Sequence, residues 1–431
     1  MLERETPRAL EEALRSLDHQ FAALPEFSAP AAGCLPDVLR EVAARMGDNF
    51  PYFHPLYAGQ MLKPPHPVAR AAYALATWIN PNNHALDGGR ASSAMERETV
   101  AQLAAMFGWQ DHLGHLTGGG TMANLEALWV AGLRHPGKKI VASAQSHYTH
   151  ERISAVLRLP FAKVETDRCG RIDLNSLERL LAAGDIGCVV ATLGTTATGS
   201  VDPLPEILQL QKRYGFRVHV DAAYGGYFTL ADNLDQRTRA AYDCVSQADS
   251  IVVDPHKHGL QPYGCGAVLF RDPSVGTLYQ HDSPATYFSS RQQHLGEISL
   301  ECSRPGASAV ALWATLRALP LVRGGEFAQG LNACRRAALD LYARLAADPR
   351  FLTPFPPQLD IVVWTPKNGS AQRIFDEAAR RNLHLALARL PGFFFGRSEP
   401  ELLCLRSVLM KPEHEQWIGR IWEILDQATN S

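Results

Sequence analysis

No stretch of this 431-residue sequence reaches the roughly 18 uninterrupted apolar residues of a membrane-crossing helix, so nothing in it reads as a bilayer span. Charge of one sign is equally scarce. The 42 Lys and Arg stand against 44 Asp and Glu, a formal net charge of -2, and no segment gathers basic residues into the stripe that a polyanion would require. A nucleic-acid partner is therefore not expected. Cysteine is present but unorganised: Cys34, Cys169, Cys188, Cys244, Cys265, Cys302, Cys334 and Cys404 form no C-x-x-C pair and no regular spacing. That pattern argues against a zinc site or a disulfide framework and predicts reduced thiols, no bound metal and a cytoplasmic location. The opening MLERETPRALEEALRSL is charged and amphipathic, without the apolar core and small-residue cleavage site of a signal peptide. Internal repeats, low-complexity tracts and domain-sized linkers are missing as well.

What is there is length enough for two or three lobes around a large core. Residues 7–24 and 36–45 have helical periodicity and flank a Pro/Ala/Gly stretch, and the Pro-rich LKPPHP follows, so residues 1–65 read as a helical arm. Beyond it, helices alternate with short apolar strands: KIVASA, CVVATLG, FRVHVDAA, SIVVDP and CGAVLF, with a helix over 91–107. Such alternation predicts an α/β domain over 66–318 with a mainly parallel central sheet covered on both faces. After a loop over 279–296, two long helices, the strands LDIVVWTP and LLCLRSVLM and the helices QRIFDEAARRNL and HEQWIGRIWEILDQA predict a smaller α+β domain over 319–431.

Four segments sit where predicted strands end, the place where open α/β sheets bind ligands. In TGGGTMANL (117–125) the glycines expose backbone N–H groups ahead of a helix, which suits a phosphate; a plain strand-to-helix turn is the alternative. In HVDAAYGGY (219–227) an apolar strand ends in Asp221, a carboxylate that is costly to bury unless it meets a cation such as a protonated pyridinium, and the small Ala222 and Ala223 leave room for a flat ring. Capping of the next turn is the alternative for Asp221. In VDPHKHGLQPYGCGAVLF (253–270) Lys257 follows a strand between His256 and His258, a setting suited to a Schiff-base lysine; a surface loop lysine or a histidine metal pair would be the competing accounts. In SAQSHYTHERI (143–153) His147 is placed to lie flat over an aromatic ring, although a lone histidine is more often structural.

In this order the motifs resemble the group II pyridoxal 5'-phosphate (PLP) dependent decarboxylases of fold type I, the aspartate aminotransferase-like fold, over roughly residues 50 to 425. That family includes aromatic amino acid, tyrosine, glutamate and aspartate decarboxylases. The resemblance implies Lys257 as the cofactor's attachment point, Asp221 as its pyridinium partner and His147 as the histidine stacked on its ring. It implies Gly120 and Thr121 at the phosphate, Thr196 and Ala223 near the cofactor and His256 beside the phosphate. Tyr263 looks like a tyrosine implicated in protonation in bacterial tyrosine decarboxylases, and Arg406 resembles the arginine that binds the substrate carboxylate. Asn83, in INPNNHALDGG, is a candidate lining residue, with a turn as the other reading. The stretch ECSRPGASAVALW resembles a segment of both tyrosine decarboxylases and sphingosine phosphate lyases. Departures are Met122 where Glu is common, Cys302 where Gly is common, and Asp254 where Asn is common, an acid that would be unfavourable beside a phosphate unless turned elsewhere. Tyr279 and Tyr287 lie in or beside the loop expected to carry catalytic groups.

The resemblance implies decarboxylation of an L-amino acid to its amine, with aromatic substrates ahead of aspartate or glutamate, in a homodimer with shared active sites. Another PLP-dependent lyase reaction, carbon–carbon or carbon–sulfur cleavage, is the alternative. A non-catalytic binding protein on the same fold is the third.

Overall fold

The computed structural model describes residues 4–26, 33–280 and 294–430. Two sheets organise it. In chain order the first comprises β1 (Leu113–Thr117), β2 (Lys139–Ser143), β3 (Phe161–Val164), β4 (Ile186–Thr192), β5 (Arg217–Asp221), β6 (Ser250–Val253) and β7 (Gly266–Phe270). Their spatial order is β1-β7-β6-β5-β4-β2-β3, with β7 antiparallel to both its neighbours and the other pairings parallel. Every residue of β4 and β6 is buried, which is why these strands read as continuous apolar runs rather than alternating ones.

Two strands of this sheet carry no such signal. β1 is built from Leu-Gly-His-Leu-Thr, and its His115 is buried only because Glu126 Oε2 lies 2.9 Å from its Nε2. β3 is short and half-buried at the sheet edge. Helices Pro67–Thr77, Arg90–Met106 and Gly306–Ala318 pack on one another, while Gly120–Arg134 lies against β6 and β7.

The second sheet, β8 (Phe351–Leu352), β9 (Ile361–Pro366), β10 (Ala386–Pro391) and β11 (Glu401–Val408), is antiparallel in the order β10-β11-β9-β8. The helices Glu326–Ala347, Ala371–Arg380 and His414–Asn430 share a core with it that includes Trp364, Leu341, Ile374 and Ile421. Among the described residues no helix is long and apolar enough to cross a membrane. All eight cysteines are free thiols.

Candidate active site

The carboxyl ends of β1, β2, β4, β5 and β6 face one side of the sheet, and the loops leaving them enclose a cavity of about 500 Å³. It gathers residues far apart in the chain: Gly120 and Thr121 after β1, His147 after β2, Thr196 after β4, Asp221 and Ala223 at the end of β5, and His256 and Lys257 after β6.

One end of the cavity is the start of the helix Gly120–Arg134. The first backbone N–H groups of a helix have no partner within it, and here no side chain caps them. The preceding Gly119 has φ 146°, in a region open to glycine alone. A Cβ on Gly120 would lie 2.7 Å from Asp254 Oδ2, so the cradle has no room for a side chain. Asp254 itself is turned toward the lysine: its Oδ2 is 2.9 Å from Lys257 Nζ and 3.6 Å from His256 Nε2. The buried Oδ1 of Asp254 and Nδ1 of His256 have no hydrogen-bond partner.

At the other end Asp221 is only 5% exposed. Its Oδ1 accepts the Ala223 N–H at 3.1 Å, and its Oδ2 lies 2.8 Å from Nε2 of the fully buried His150. Burial alone would raise this carboxyl. The hydrogen bond and charge of His150, with Lys257 beyond, outweigh that and hold it well below the usual carboxylate range. His150 is a site residue that sequence reasoning missed. Its only signal was a second histidine on the turn that carries His147. His147 is drawn below the ordinary histidine range by burial, opposed by Asp221 and aided by Lys257 and His150. Its Nδ1 receives the Thr149 hydroxyl at 2.7 Å, which fixes the ring.

Three sequence candidates are not among the residues lining this cavity. Tyr263 is 54% exposed, stacks on His256 with ring centroids 4.5 Å apart, and donates its hydroxyl to the Met61 carbonyl at 2.8 Å; burial raises its phenol to about 12. Arg406, on β11, is 5% exposed and gives Nη1 to the Gly59 carbonyl at 3.1 Å. Among the described residues its buried Nε and Nη2 have no hydrogen-bond partner. Asn83 is fully buried, and its amide is used by Glu96 Oε2 at 2.6 Å and by the Ser92 carbonyl. Glu96 in turn binds Arg304 at 2.6 Å, so Asn83 belongs to a buried scaffold network. Tyr279 packs edge-on against Trp129 and donates to Glu126 Oε2 at 2.9 Å. Tyr287 lies outside the described residues. Among the described residues no His, Cys, Asp and Glu cluster is arranged to hold a metal ion.

The model of the pyridoxal-dependent decarboxylase conserved domain matches residues 50–367. A probable L-tyrosine/L-aspartate decarboxylase of Methanothrix thermoacetophila is 29% identical over 365 residues, covering 82% of this chain and 87% of that protein. Among solved structures, mouse CSAD is similar with a TM-score of 0.80 at 21% identity, over 97% of this chain and 91% of the other. Oryza sativa TDC, solved with PLP and tryptamine, is similar with a TM-score of 0.80 at 17% identity, over 100% of this chain and 98% of the other. The last two likenesses bear on the fold.

The residues present fit pyridoxal phosphate. The bare helix start and side-chain-free glycine cradle suit a phosphate. Asp221, held ionised although buried, gives the cavity wall a carboxylate that a pyridinium could face, and Lys257 presents an amine to the same cavity.

Proposed function

The chain belongs to the pyridoxal-dependent decarboxylase family, a family of carboxy-lyases that act on amino acids, and from that premise we propose that its substrate is an L-amino acid with an aromatic side chain. The observation that carries this reading is the cavity wall. Apart from Lys257 and the histidines His147 and His256, no cation lines it among the described residues, while Met122, Leu125 and Ala223 give it apolar surface. A second carboxylate, as in aspartate or glutamate, would find no further lysine or arginine among these lining residues. The name of the archaeal relative couples tyrosine with aspartate, which keeps aspartate as the second reading.

When bound, pyridoxal phosphate supplies an electron sink for the pair left behind as carbon dioxide departs. The chain's own residues take the remaining tasks. Lys257 offers its amine as the attachment point, and Asp254 holds that amine at 2.9 Å. Asp221, held ionised and pinned by the Ala223 N–H and His150, would be the carboxylate that keeps the cofactor's ring nitrogen protonated. His147, drawn toward its neutral form, offers a flat face without a competing charge. Gly120 and Thr121, at the start of the helix, would hold the phosphate through backbone N–H groups, and Thr196 and His256 line the same cavity. Arg406, with two idle nitrogens, is the partner for the substrate carboxylate. Tyr263 is the proton donor to Cα, and that role requires its hydroxyl to leave the Met61 carbonyl.

We infer a homodimer from the two leading helices, Glu5–Gln20 and Leu35–Met46, which bury none of their own residues and leave Leu35, Val38, Leu39 and Val42 exposed. Carbon dioxide release from tyrosine, Dopa, tryptophan, aspartate and glutamate tests the substrate. Aromatic turnover at least about ten-fold faster in kcat/KM supports the reading; faster aspartate or glutamate turnover overturns it.

A further inference from the structure

A second cavity of about 610 Å³ lies behind the Lys257 loop, where the segment 63–70, the start of the helix Glu326–Ala347 and residues 411–413 meet. Lys63 and Lys411 both line it. Lys411 is 2% exposed and donates to the Tyr57 carbonyl at 2.6 Å; Lys63 is half-buried and donates to the Met410 carbonyl at 3.3 Å. An ammonium has three donors, so each retains hydrogens unused by these bonds. Among the described residues neither has a carboxylate within ion-pair distance. Buried charges are normally paired, and here Lys411 feels a second charge of like sign, Lys63. Burial, and then Lys63, brings the Lys411 ammonium down to about 7, and burial lowers Lys63 as well.

Two further features point the same way. The helix Glu326–Ala347 begins at this cavity, and its first turn carries no side-chain cap. His258, also on the wall and 1% exposed, has an Nδ1 with no hydrogen-bond partner, while its Nε2 lies 3.2 Å from Asp360 Oδ2. The carboxylates nearby offset the lysines only in part: Glu413, exposed on the cavity wall, favours both ammonium forms and Asp360 favours that of Lys63, but Asp360 also faces His258 Nε2 at 3.2 Å and accepts the Tyr224 hydroxyl at 2.6 Å.

We propose that this second cavity binds a small dianion of the phosphate or short dicarboxylate class, held between Lys63 and Lys411 at the uncapped helix start. The site is separate from the cofactor cavity: His258 lies on its wall, and the neighbouring Lys257 lines the other. The inference goes beyond the decarboxylase reading and does not depend on which amino acid is consumed.

The test is calorimetric titration of the holoenzyme, whose cofactor already fills the phosphate cradle, with inorganic phosphate and with succinate against chloride at matched ionic strength. Saturable binding of either dianion, weakened about ten-fold or more in Lys63→Met and in Lys411→Met and unchanged in the exposed-surface control Lys212→Met, is the expected result. Lys63→Met guards against a folding defect in the more buried Lys411→Met. Absence of saturable binding for both dianions, or binding that survives both cavity substitutions, would overturn the proposal.

Discussion

His150 shows how a side chain passed over within one motif sets the chemistry of a residue in another. Asp221 is held low because His150 Nε2 sits 2.8 Å from its Oδ2 despite complete burial. A carboxyl held low in the folded protein adds stability above its unfolded value of about 3.9 and loses it as pH falls through the folded value. In His150→Phe burial dominates and the carboxyl rises, so that contribution is lost at a higher pH. We expect the acid limb of the cofactor's visible band and of turnover to move up by about one pH unit or more, with partial rescue in His150→Gln; an unmoved limb in His150→Phe would contradict this. At Arg406, substitution by Met should lower kcat/KM about 100-fold with the cofactor's affinity kept, as carboxylate capture would require; loss of cofactor instead would place Arg406 in the scaffold. Lys257, Asp221 and His147 were legible because each ends or follows an apolar strand, and Gly120 because it closes a run of glycines ahead of a helix. His150, Asp254's grip on Lys257 and the Asn83–Glu96–Arg304 network were not, since a buried polar group is explained only by a partner distant in sequence.

The helix Gly120–Arg134 is the element on which phosphate binding depends. In Gly120→Ala the new Cβ, 2.7 Å from Asp254 Oδ2, must push that carboxylate off Lys257 and narrow the cradle. The expected outcome is cofactor affinity weakened about ten-fold or more with far-UV circular dichroism unchanged; wild-type affinity would mean that the helix start does not hold the phosphate. Elements such as β4, β5 and β6 stood out in the sequence as apolar runs. β1 did not, because its His115 depends on Glu126, and Glu126 also receives the Tyr279 hydroxyl. β10 was missed as well: Ala388 and Arg389 are not fully buried, so its Ala-Leu-Ala-Arg-Leu-Pro lacks a continuous buried run.

At the scale of the molecule, the leading helices are the least buried part of the chain, with Leu35, Leu39 and Met46 each more than half exposed. Apolar side chains gathered on such helices need a covering surface. Sedimentation should find a dimer, and removal of residues 1–49 should shift it to monomer; a monomeric full chain would remove the basis for a shared active site. The mainly parallel sheet and a smaller α+β domain were foreseen from the alternation of elements, whereas the antiparallel pairing of the second sheet and the joining of Tyr224 to Asp360, at 2.6 Å, depend on tertiary packing. The account's central claim is that Lys257 carries pyridoxal phosphate, and borohydride reduction of the purified protein followed by peptide mass mapping tests it most directly. The account predicts the reduced pyridoxyl adduct on the peptide containing Lys257 and none in Lys257→Ala; an adduct on another lysine, or no adduct in the wild type, would contradict it.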